Sequence, residues 1–555
     1  MRSELIRDYK TIHTWAGIVT GLALFIAFYA GALTMFEEAL EAWIAPPRIT
    51  HPVPLANADR LLADTLAARP EAARDFTLHL TADGTAVSHL SWRKDRRDRQ
   101  PCVAERQADG TLDIARRQAS GLPQFIDVIH RTAGIPGDPE IGETAMGIVS
   151  AIYAVALISG LIVLLPSLIK DFFALRVGKN LKRMWLDAHN VAGVTGLPFH
   201  LIIAMTSVVF CLHDPLYALQ DTLIYDGKFR TVTAASNPLT NLAKDKTARP
   251  MLEVQALLDA TRQLSPSLQP TEIQYRDANT TSATARVAGD DPNYLVRKIG
   301  FVMLAAPTGE VLGKEYLPGH QNNWSAVVSA FFALHIGTYG GSTMLWVYFG
   351  LGLAGAFLFY SGNLLWLETR RRKASRDDPS TGDQSRPVRA MAAATVGVAF
   401  GCIASISLAI AAAKWLPGRV GDPEAWHQGI YYAVFLASIV WAFAAGAARS
   451  AVHLPGLAGL CTLAIPLLSL IALAFPGSGL WVNSSVLGVD LVATIAGIAL
   501  LLMAKKAAHR VRHGPSDSIW AATSPANRVT ANNAPTLTSD RHAHGQPENI
   551  THSKM

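Results

Sequence analysis

The chain has 555 residues, of which 50% are hydrophobic and only 17% are charged, with a formal net charge of +6 at pH 7. Because about a quarter of the residues in soluble domains are charged, this composition favours a membrane protein. The basic residues are divided among loops that flank apolar segments, which disfavours nucleic-acid binding. The four cysteines form no CxxC or CxxCH motif, which disfavours thiol redox chemistry and covalent haem attachment.

Eight apolar segments are long enough to cross a hydrocarbon core of about 30 Å. The predicted spans are residues 14–36, 145–168, 190–212, 342–365, 390–413, 429–448, 456–475 and 485–504. The first has no small-residue cleavage site before the acidic pair Glu37-Glu38, so we expect a retained helix rather than a signal peptide. The expected fold class is an integral membrane α-helical protein with about eight transmembrane helices.

Clusters of basic residues predict how these spans are oriented. With eight spans, all the dense clusters fall on one side of the membrane. They are Arg2, Arg7 and Lys10; Lys170, Arg176, Lys179, Lys182 and Arg183; Arg370, Arg371, Arg372 and Lys373; and Lys505, Lys506, Arg510 and Arg512. Because Lys and Arg are enriched in cytoplasmic loops, both termini are predicted to be cytoplasmic.

Two long segments on the other side, about 37–127 and 214–325, are predicted to fold as small α+β modules. Each begins with a helical stretch, at residues 57–69 and 251–264. Runs of alternating polarity follow, which are typical of half-buried strands. The predicted strands are 76–80, 86–92 and 102–104 in the first module, and 272–275, 284–287 and 302–304 in the second.

The same order of elements occurs twice. A span is followed by an α+β module, an apolar segment that ends in a histidine (His130 or His335), a glycine turn and another span. This order indicates an internal duplication, and membrane proteins often bury binding sites between such repeats. We predict a duplicated four-helix core at 1–373, a linker at 374–388, a four-helix membrane bundle at 389–505 and a disordered cytoplasmic tail at 506–555.

Four histidines at matching points of the two halves are the candidate metal ligands: His13 and His189 near one membrane face, and His130 and His335 near the other. A single interfacial histidine is usually only hydrogen-bonded, but the repetition favours cofactor binding. His13 and His189 each precede a glycine by four residues, which leaves space one helical turn away. Since imidazole is a common axial ligand of haem iron, we predict two b-type haems.

Two further residues are candidates for cofactor binding. His200 lies eleven residues after His189 on the same predicted helix, about 16 Å further along its axis. It would then lie deep in the membrane, where it could ligate a haem, hydrogen-bond a propionate, or make a structural polar contact. Arg131 follows His130 and is placed to pair with a propionate.

These motifs resemble the PepSY-associated transmembrane family over about residues 1–375. The resemblance rests on the runs Ile12-His13-Thr14-Trp15-Ala16-Gly17, Trp185 to Gly193, Leu197 to Thr206, Ala333-Leu334-His335-Ile336-Gly337 with Gly340-Gly341, and Leu351 to Glu368. Family members commonly have Thr-Gly where this chain has Thr206-Ser207. The resemblance implies PepSY-like outer modules, b-type haems held by membrane histidines, location in the bacterial inner membrane and, in some members, reduction of ferric siderophores.

The expected function is electron transfer from a cytoplasmic or membrane donor to a ferric siderophore or another ferric chelate on the far side of the bilayer. The chain has no Gly-x-Gly-x-x-Gly after a predicted strand and no Walker A motif, so we expect no nicotinamide or ATP site of its own. A separate electron donor is therefore needed. This would make the protein a haem-dependent oxidoreductase. Two alternatives stay open: a membrane-anchored PepSY binding or inhibitory module, and a component that transports siderophores or metals.

Overall fold

The computed structural model describes residues 3–47, 51–94, 100–116, 120–167, 180–235, 245–294, 299–372, 383–515 and 517–521. Its α-helices, numbered in chain order, are α1 (Ser3–Thr34), α2 (Glu37–Ile44), α3 (Ala58–Ala68), α4 (Leu122–Thr132), α5 (Pro139–Leu164), α6 (Leu181–Thr195), α7 (Leu197–Leu223), α8 (Phe229–Ala235), α9 (Val254–Leu264), α10 (Asn323–Ile336), α11 (Gly341–Thr369), α12 (Arg386–Trp415), α13 (Pro423–Ala445), α14 (Ala447–Ala474) and α15 (Leu487–His513).

Eight of these helices are long and apolar enough to cross a membrane, as predicted: α1, α5, α7, α11, α12, α13, α14 and α15. The chain is therefore a multi-pass membrane protein. We call the side on which α1 begins the N-terminal face, and the opposite side, where the chain forms its β-sheet, the sheet face. Of the basic clusters, Arg2, Lys170, Arg176, Lys179 and Lys373 lie outside the described residues.

The third predicted span differs from the structure because a helix ends inside it. α6 ends at Thr195, and α7 begins at Leu197 after Gly196. Pro198 lies in the first turn of α7, where a missing backbone N–H is tolerated, whereas in a helix interior it would remove a hydrogen bond. His189 and His200 therefore lie on different helices, and the expectation that one helix carries both is wrong.

Within the described residues, the strands of both outer segments form one antiparallel sheet of nine strands. They are β1 (Val53–Pro54), β2 (Asp75–Leu80), β3 (Ala86–Trp92), β4 (Cys102–Arg106), β5 (Leu112–Arg116), β6 (Gln269–Arg276), β7 (Thr284–Asp290), β8 (Gly300–Ala305) and β9 (Val311–Gly313). Their order is β5-β4-β3-β2-β6-β7-β8-β9, and β1 pairs with β3. The predicted strands are present, but their union in one sheet was not predicted.

The pairing of β2 with β6 joins the two outer segments. Asp75 to His79 pair with Arg276 to Glu272 in antiparallel register. At this seam the rings of Phe76 and Tyr275 stack with centroids 4.9 Å apart. Alternate residues of both strands point into one core, which α3 and α9 cover. The two segments therefore share a hydrophobic core and are not independent modules.

The four C-terminal spans are joined to the rest of the protein by a buried polar network near the sheet face. Lys414 of α12 is fully buried, and its Nζ lies 4.0 Å from the centroid of the Trp43 ring of α2. Lys414 also donates to Ser469 Oγ at 3.2 Å. Asp490 Oδ1 accepts from both Trp43 Nε1 and Ser469 Oγ at 3.0 Å. The network therefore links α2, α12, α14 and α15.

The predicted start of the C-terminal tail also differs from the structure. α15 continues as a helix to His513, and Trp520 is buried against the C-terminal spans. Residues 522–555, which make up most of the predicted tail, lie outside the described residues, as do residues 374–382 of the predicted linker.

Replacing Asp490 with alanine should weaken the attachment of the C-terminal spans. Trp43 and Ser469 would lose their shared acceptor, and the buried Lys414 cation would lose its nearby anion. Breaking a buried polar or ionic network in this way typically costs about 3 kcal/mol. We expect the melting temperature in detergent to fall by several degrees. Asp8→Ala, at an exposed position of α1, is the control, and equal melting temperatures for both variants would contradict the role of the network.

Candidate functional site

The first pair of predicted ligands, His13 and His189, meets near the N-terminal face. His13 lies in α1 and His189 in α6, and their ring centroids are 6.1 Å apart with an interplanar angle of 68°. His13 Nδ1 donates to the Ala156 carbonyl of α5 at 2.8 Å. His189 Nδ1 donates to the Leu358 carbonyl of α11 at 3.1 Å. Each ring is thus held by a different neighbouring span.

The second pair, His130 and His335, meets near the sheet face with the same spacing. The ring centroids are again 6.1 Å apart, at an interplanar angle of 44°. His130 Nδ1 donates to the Ala27 carbonyl of α1 at 2.7 Å. His335 Nδ1 lies 2.7 Å from Thr206 Oγ1 of α7. Since the Thr206 hydroxyl donates its proton to the Ile202 carbonyl, it accepts from His335.

Three of these rings reach a main-chain carbonyl of another helix. They can do so because a glycine follows the carbonyl residue by one turn on that helix. Gly160 follows Ala156, Gly31 follows Ala27 and Gly362 follows Leu358, each by four residues. A Cβ at these glycines would lie 2.8 Å, 2.7 Å and 3.2 Å from the nearest atom of His13, His130 and His189 respectively. A side chain there would collide with the imidazole, so each glycine is needed for its histidine's position.

The fourth ring is held differently, because the residue that corresponds to Gly31 in the second half of the core is not glycine. Gly31 comes eighteen residues after His13, and the residue eighteen after His189 is Ser207 rather than glycine. A serine there provides less room for a ring beside the main chain. The neighbouring Thr206 hydroxyl, which extends from the helix, accepts the hydrogen bond from His335 instead.

The spacing within each pair fits a six-coordinate haem iron. An imidazole nitrogen binds a metal at about 2 Å, and the ring centroid lies roughly 1 Å further out, so two rings on opposite sides of one iron have centroids about 6 Å apart. Both pairs are at 6.1 Å. In all four rings Nδ1 is hydrogen-bonded, so Nε2 is the nitrogen that could bind a metal; metal-bound histidines typically donate their other ring N–H in this way.

Space beside the first pair also fits a flat ligand. A Cβ added at Gly17, one turn after His13, would meet nothing within 4 Å. At Gly193, one turn after His189, it would meet only the Leu358 side chain, at 3.5 Å. The two pairs lie at different depths, because His13 and the His130 acceptor Ala27 are fourteen residues apart on α1, or about 21 Å along its axis.

His200 belongs to neither pair. It is 1% exposed, and its Nδ1 lies 2.7 Å from the hydroxyl of Tyr153 in α5. Its Nε2 is buried, and the described part of the chain offers that atom no hydrogen-bond partner.

Arg131, the other predicted cofactor-binding residue, is engaged by two carboxylates. Its Nε donates to Asp127 at 2.9 Å, and its guanidinium also contacts Glu143. A propionate at Arg131 would therefore have to share this cation with two acidic side chains.

Sequence reasoning missed the functional candidates Tyr153 and Lys414. Lys414 carried a usable signal, because an ionisable residue at membrane depth is usually paired and functional. It stands in the apolar run before Trp415, and Asp490 stands near the start of the last span. Tyr153 carried no such signal, because an aromatic residue in a span is ordinary.

No cluster of three or more His, Cys, Asp or Glu residues that could hold a metal ion occurs in the ranges that the structure describes. A haem differs from such sites, because the porphyrin supplies four ligands and the protein only the axial ones.

Comparison with known proteins identifies the family. No curated protein matches the chain closely enough to be counted as similar. The family described as PepSY-associated TM region matches residues 10–369. The match includes all four paired histidines and ends at the last residue of α11, so α12 to α15 lie outside it. Since it covers more than half of the chain, the protein belongs to the PepSY-associated transmembrane family.

Proposed function

We propose that this protein carries electrons across the bacterial inner membrane through two b-type haems, one held by His13 and His189 and the other by His130 and His335. The acceptor is a ferric siderophore or another ferric chelate outside the cytoplasm, bound by PepSY-like outer segments. The observation that carries the proposal is the equal 6.1 Å spacing of two histidine pairs at two membrane depths.

The chain's own residues would prepare the iron sites for electron transfer. A haem held by either histidine pair would supply one-electron exchange, at a potential that the histidines and their hydrogen bonds would set. The carbonyls of Ala156, Leu358 and Ala27 and the Thr206 hydroxyl fix the orientation of the four rings. Because each acceptor belongs to a different span, reorientation of the ligands during a redox change would require movement of packed helices.

The direction of transfer follows from the charge distribution. Basic clusters flank the N-terminal face, which by the positive-inside rule is cytoplasmic. The first pair then lies near a cytoplasmic or membrane-bound donor, and the second near the sheet. Iron release follows reduction because oxygen donors, which are hard ligands, hold Fe(III) much better than Fe(II).

Haem stoichiometry tests the pairing directly. The purified wild type should contain two low-spin haems per chain, and His13→Ala should contain one. His13→Ala with His189→Ala should still contain one, because both residues would serve the same haem. His13→Ala with His130→Ala should contain none. Pyridine haemochrome assays with oxidised and dithionite-reduced spectra measure this series, and wild-type haem content in all variants would contradict the assignment.

Filling the space beside His13 provides a test that spares the ligands. Gly17→Leu should be tolerated by the fold, because the added side chain enters open space and leucine favours helix. It should nevertheless exclude a macrocycle from the first pair and leave one haem per chain. Gly350→Leu, also in open space on a span, is the matched control and should keep two. Two haems in Gly17→Leu would place the macrocycle elsewhere.

Vectorial electron transfer should require the second pair. The hydrocarbon core is about 30 Å thick, which is too far for useful transfer without an intermediate site. In vesicles with reductant on the N-terminal face and a ferric chelate on the sheet face, His335→Ala should abolish Fe(II) formation measured with a ferrous-specific dye. His213→Ala is the control, since this exposed histidine of α7 contacts Asp214 and belongs to neither pair. Equal Fe(II) yields from wild type and His335→Ala would favour an anchor or a transporter.

A further inference from the structure

A cavity of about 510 Å³ lies among the C-terminal spans at the N-terminal face. It is bounded by the start of α12, the turn between α13 and α14, and the segment at Ile519 that follows α15. Three exposed arginines line it: Arg386 and Arg389 of α12, and Arg449 of α14. Most of the other lining residues are alanine or glycine. We call this space the arginine cavity, since the arginines and the main chain supply its polar groups.

The arginines of this cavity differ from another arginine at the same face. Arg371 forms ion pairs with Glu368 and Asp517. Among the described residues, no carboxylate lies within ion-pair distance of the three cavity arginines. The helices α12 and α14 both begin at the cavity, and neither N-cap residue makes a side-chain hydrogen bond to its helix. Because the start of a helix also attracts anions, the arginine cavity suits a phosphate group.

A second space, of about 390 Å³, continues from the arginine cavity toward the middle of the membrane. Along α14, Arg449, His453 and Leu457 follow one another at intervals of four residues, so they share one face of the helix. Arg449 lines the cavity, and the other two line the second space. Along α13, Ala445 of the cavity and Trp441 of the second space are related in the same way. The two spaces are therefore successive levels of one groove between α13 and α14.

The order of chemical groups along this groove matches a phospholipid. The rings of Trp441 and His453, with centroids 5.7 Å apart, follow the arginines, and such amphipathic rings are common at membrane interfaces. Leu457 lies eight residues beyond Arg449, or about 12 Å along the axis, which exceeds the roughly 5–8 Å thickness of a headgroup region. The second space therefore reaches the depth of acyl chains, and we call it the apolar cleft. Its other lining residues are Leu408, Val434, Ala437, Ser438, Leu454 and Cys461.

We propose that this groove binds one anionic phospholipid from the leaflet at the N-terminal face. Arg386, Arg389 and Arg449 hold its phosphate, and one acyl chain enters the apolar cleft. Basic pockets between membrane helices are known to bind anionic lipid headgroups. A soluble phosphate compound would leave the apolar cleft unfilled, so the groove favours a lipid. The inference is independent of the proposed function, because no haem takes part in it.

The experiment measures lipid binding to the delipidated full-length protein in detergent. Dioleoylphosphatidylglycerol and dioleoylphosphatidylcholine are compared, because they have the same acyl chains and differ in net charge. Native mass spectrometry should show one phosphatidylglycerol per chain, bound more tightly than phosphatidylcholine. Phosphatidylglycerol should also raise the melting temperature, since a ligand that binds only the folded protein stabilises it.

The phosphate contacts are tested by replacing all three cavity arginines with glutamine. Phosphatidylglycerol should then bind roughly a hundredfold more weakly, since each basic residue near an anionic lipid contributes about fivefold to affinity. The matched control removes three exposed cations from α15 at the same face and should bind as the wild type does. It replaces Lys505, Lys506 and Arg512 with glutamine. This control separates the groove from a general attraction between a basic surface and an anionic lipid.

The acyl-chain contact is tested without a change of charge. Ala437→Trp should fill the apolar cleft and weaken binding of phosphatidylglycerol. Ala433→Trp is the control, because Ala433 is an exposed residue of α13 that does not line the cleft. Inorganic phosphate at millimolar concentration should neither displace the lipid nor raise the melting temperature.

Three results would overturn the inference. Equal affinity of the wild type for the two lipids would exclude recognition of charge. Equal affinity of the arginine and α15 variants for phosphatidylglycerol would exclude the groove as the site. Stabilisation of the wild type by inorganic phosphate, together with unchanged lipid binding by Ala437→Trp, would assign the cavity to a soluble phosphate compound. The comparison of lipids on the wild type and the Ala437→Trp result decide the matter even if the arginine variant fails to fold.

Discussion

The arrangement of the membrane core depends on one contact, in which an imidazole N–H reaches a main-chain carbonyl of a neighbouring span. A helical carbonyl is normally covered by the side chain one turn further along, so the contact requires glycine there. Gly160, Gly31 and Gly362 meet this requirement, and they hold His13, His130 and His189 against α5, α1 and α11. The same contacts set the helix spacing and the ring orientation, so ligand geometry and helix packing are not independent properties.

The order of elements in the core occurs twice, and one irregularity between the two halves shows how such a contact can be replaced. Ser207 stands where the repeat places a glycine, and the Thr206 hydroxyl accepts from His335 in place of a carbonyl. The C-terminal spans add a different kind of support. They contact α2 through Lys414 and Asp490, near the face on which the second pair lies. These spans lie outside the family match, and they stabilise the segment that connects α1 to the sheet.

Much of this architecture could be predicted from local patterns. Apolar length identified the eight spans, alternating polarity identified most strands, and the repeated histidines identified the residues that meet as His13 with His189 and His130 with His335. Contacts between distant segments could not be predicted, because neither the pairing of β2 with β6 nor the choice of Ala27 as an acceptor leaves a local signal. The helix end at Gly196 did have a local sequence signal, because glycine and proline stand on either side of Leu197. The apolar run continues through this point, however, and it predicted a single span.

The most direct test of the central claim is to locate iron in the purified full-length protein by anomalous X-ray scattering at the iron edge. The account predicts two iron positions per chain, about 20 Å apart along α1. One should lie between the rings of His13 and His189 and the other between those of His130 and His335. Absence of iron, a single position, or iron bound away from both pairs would contradict the account.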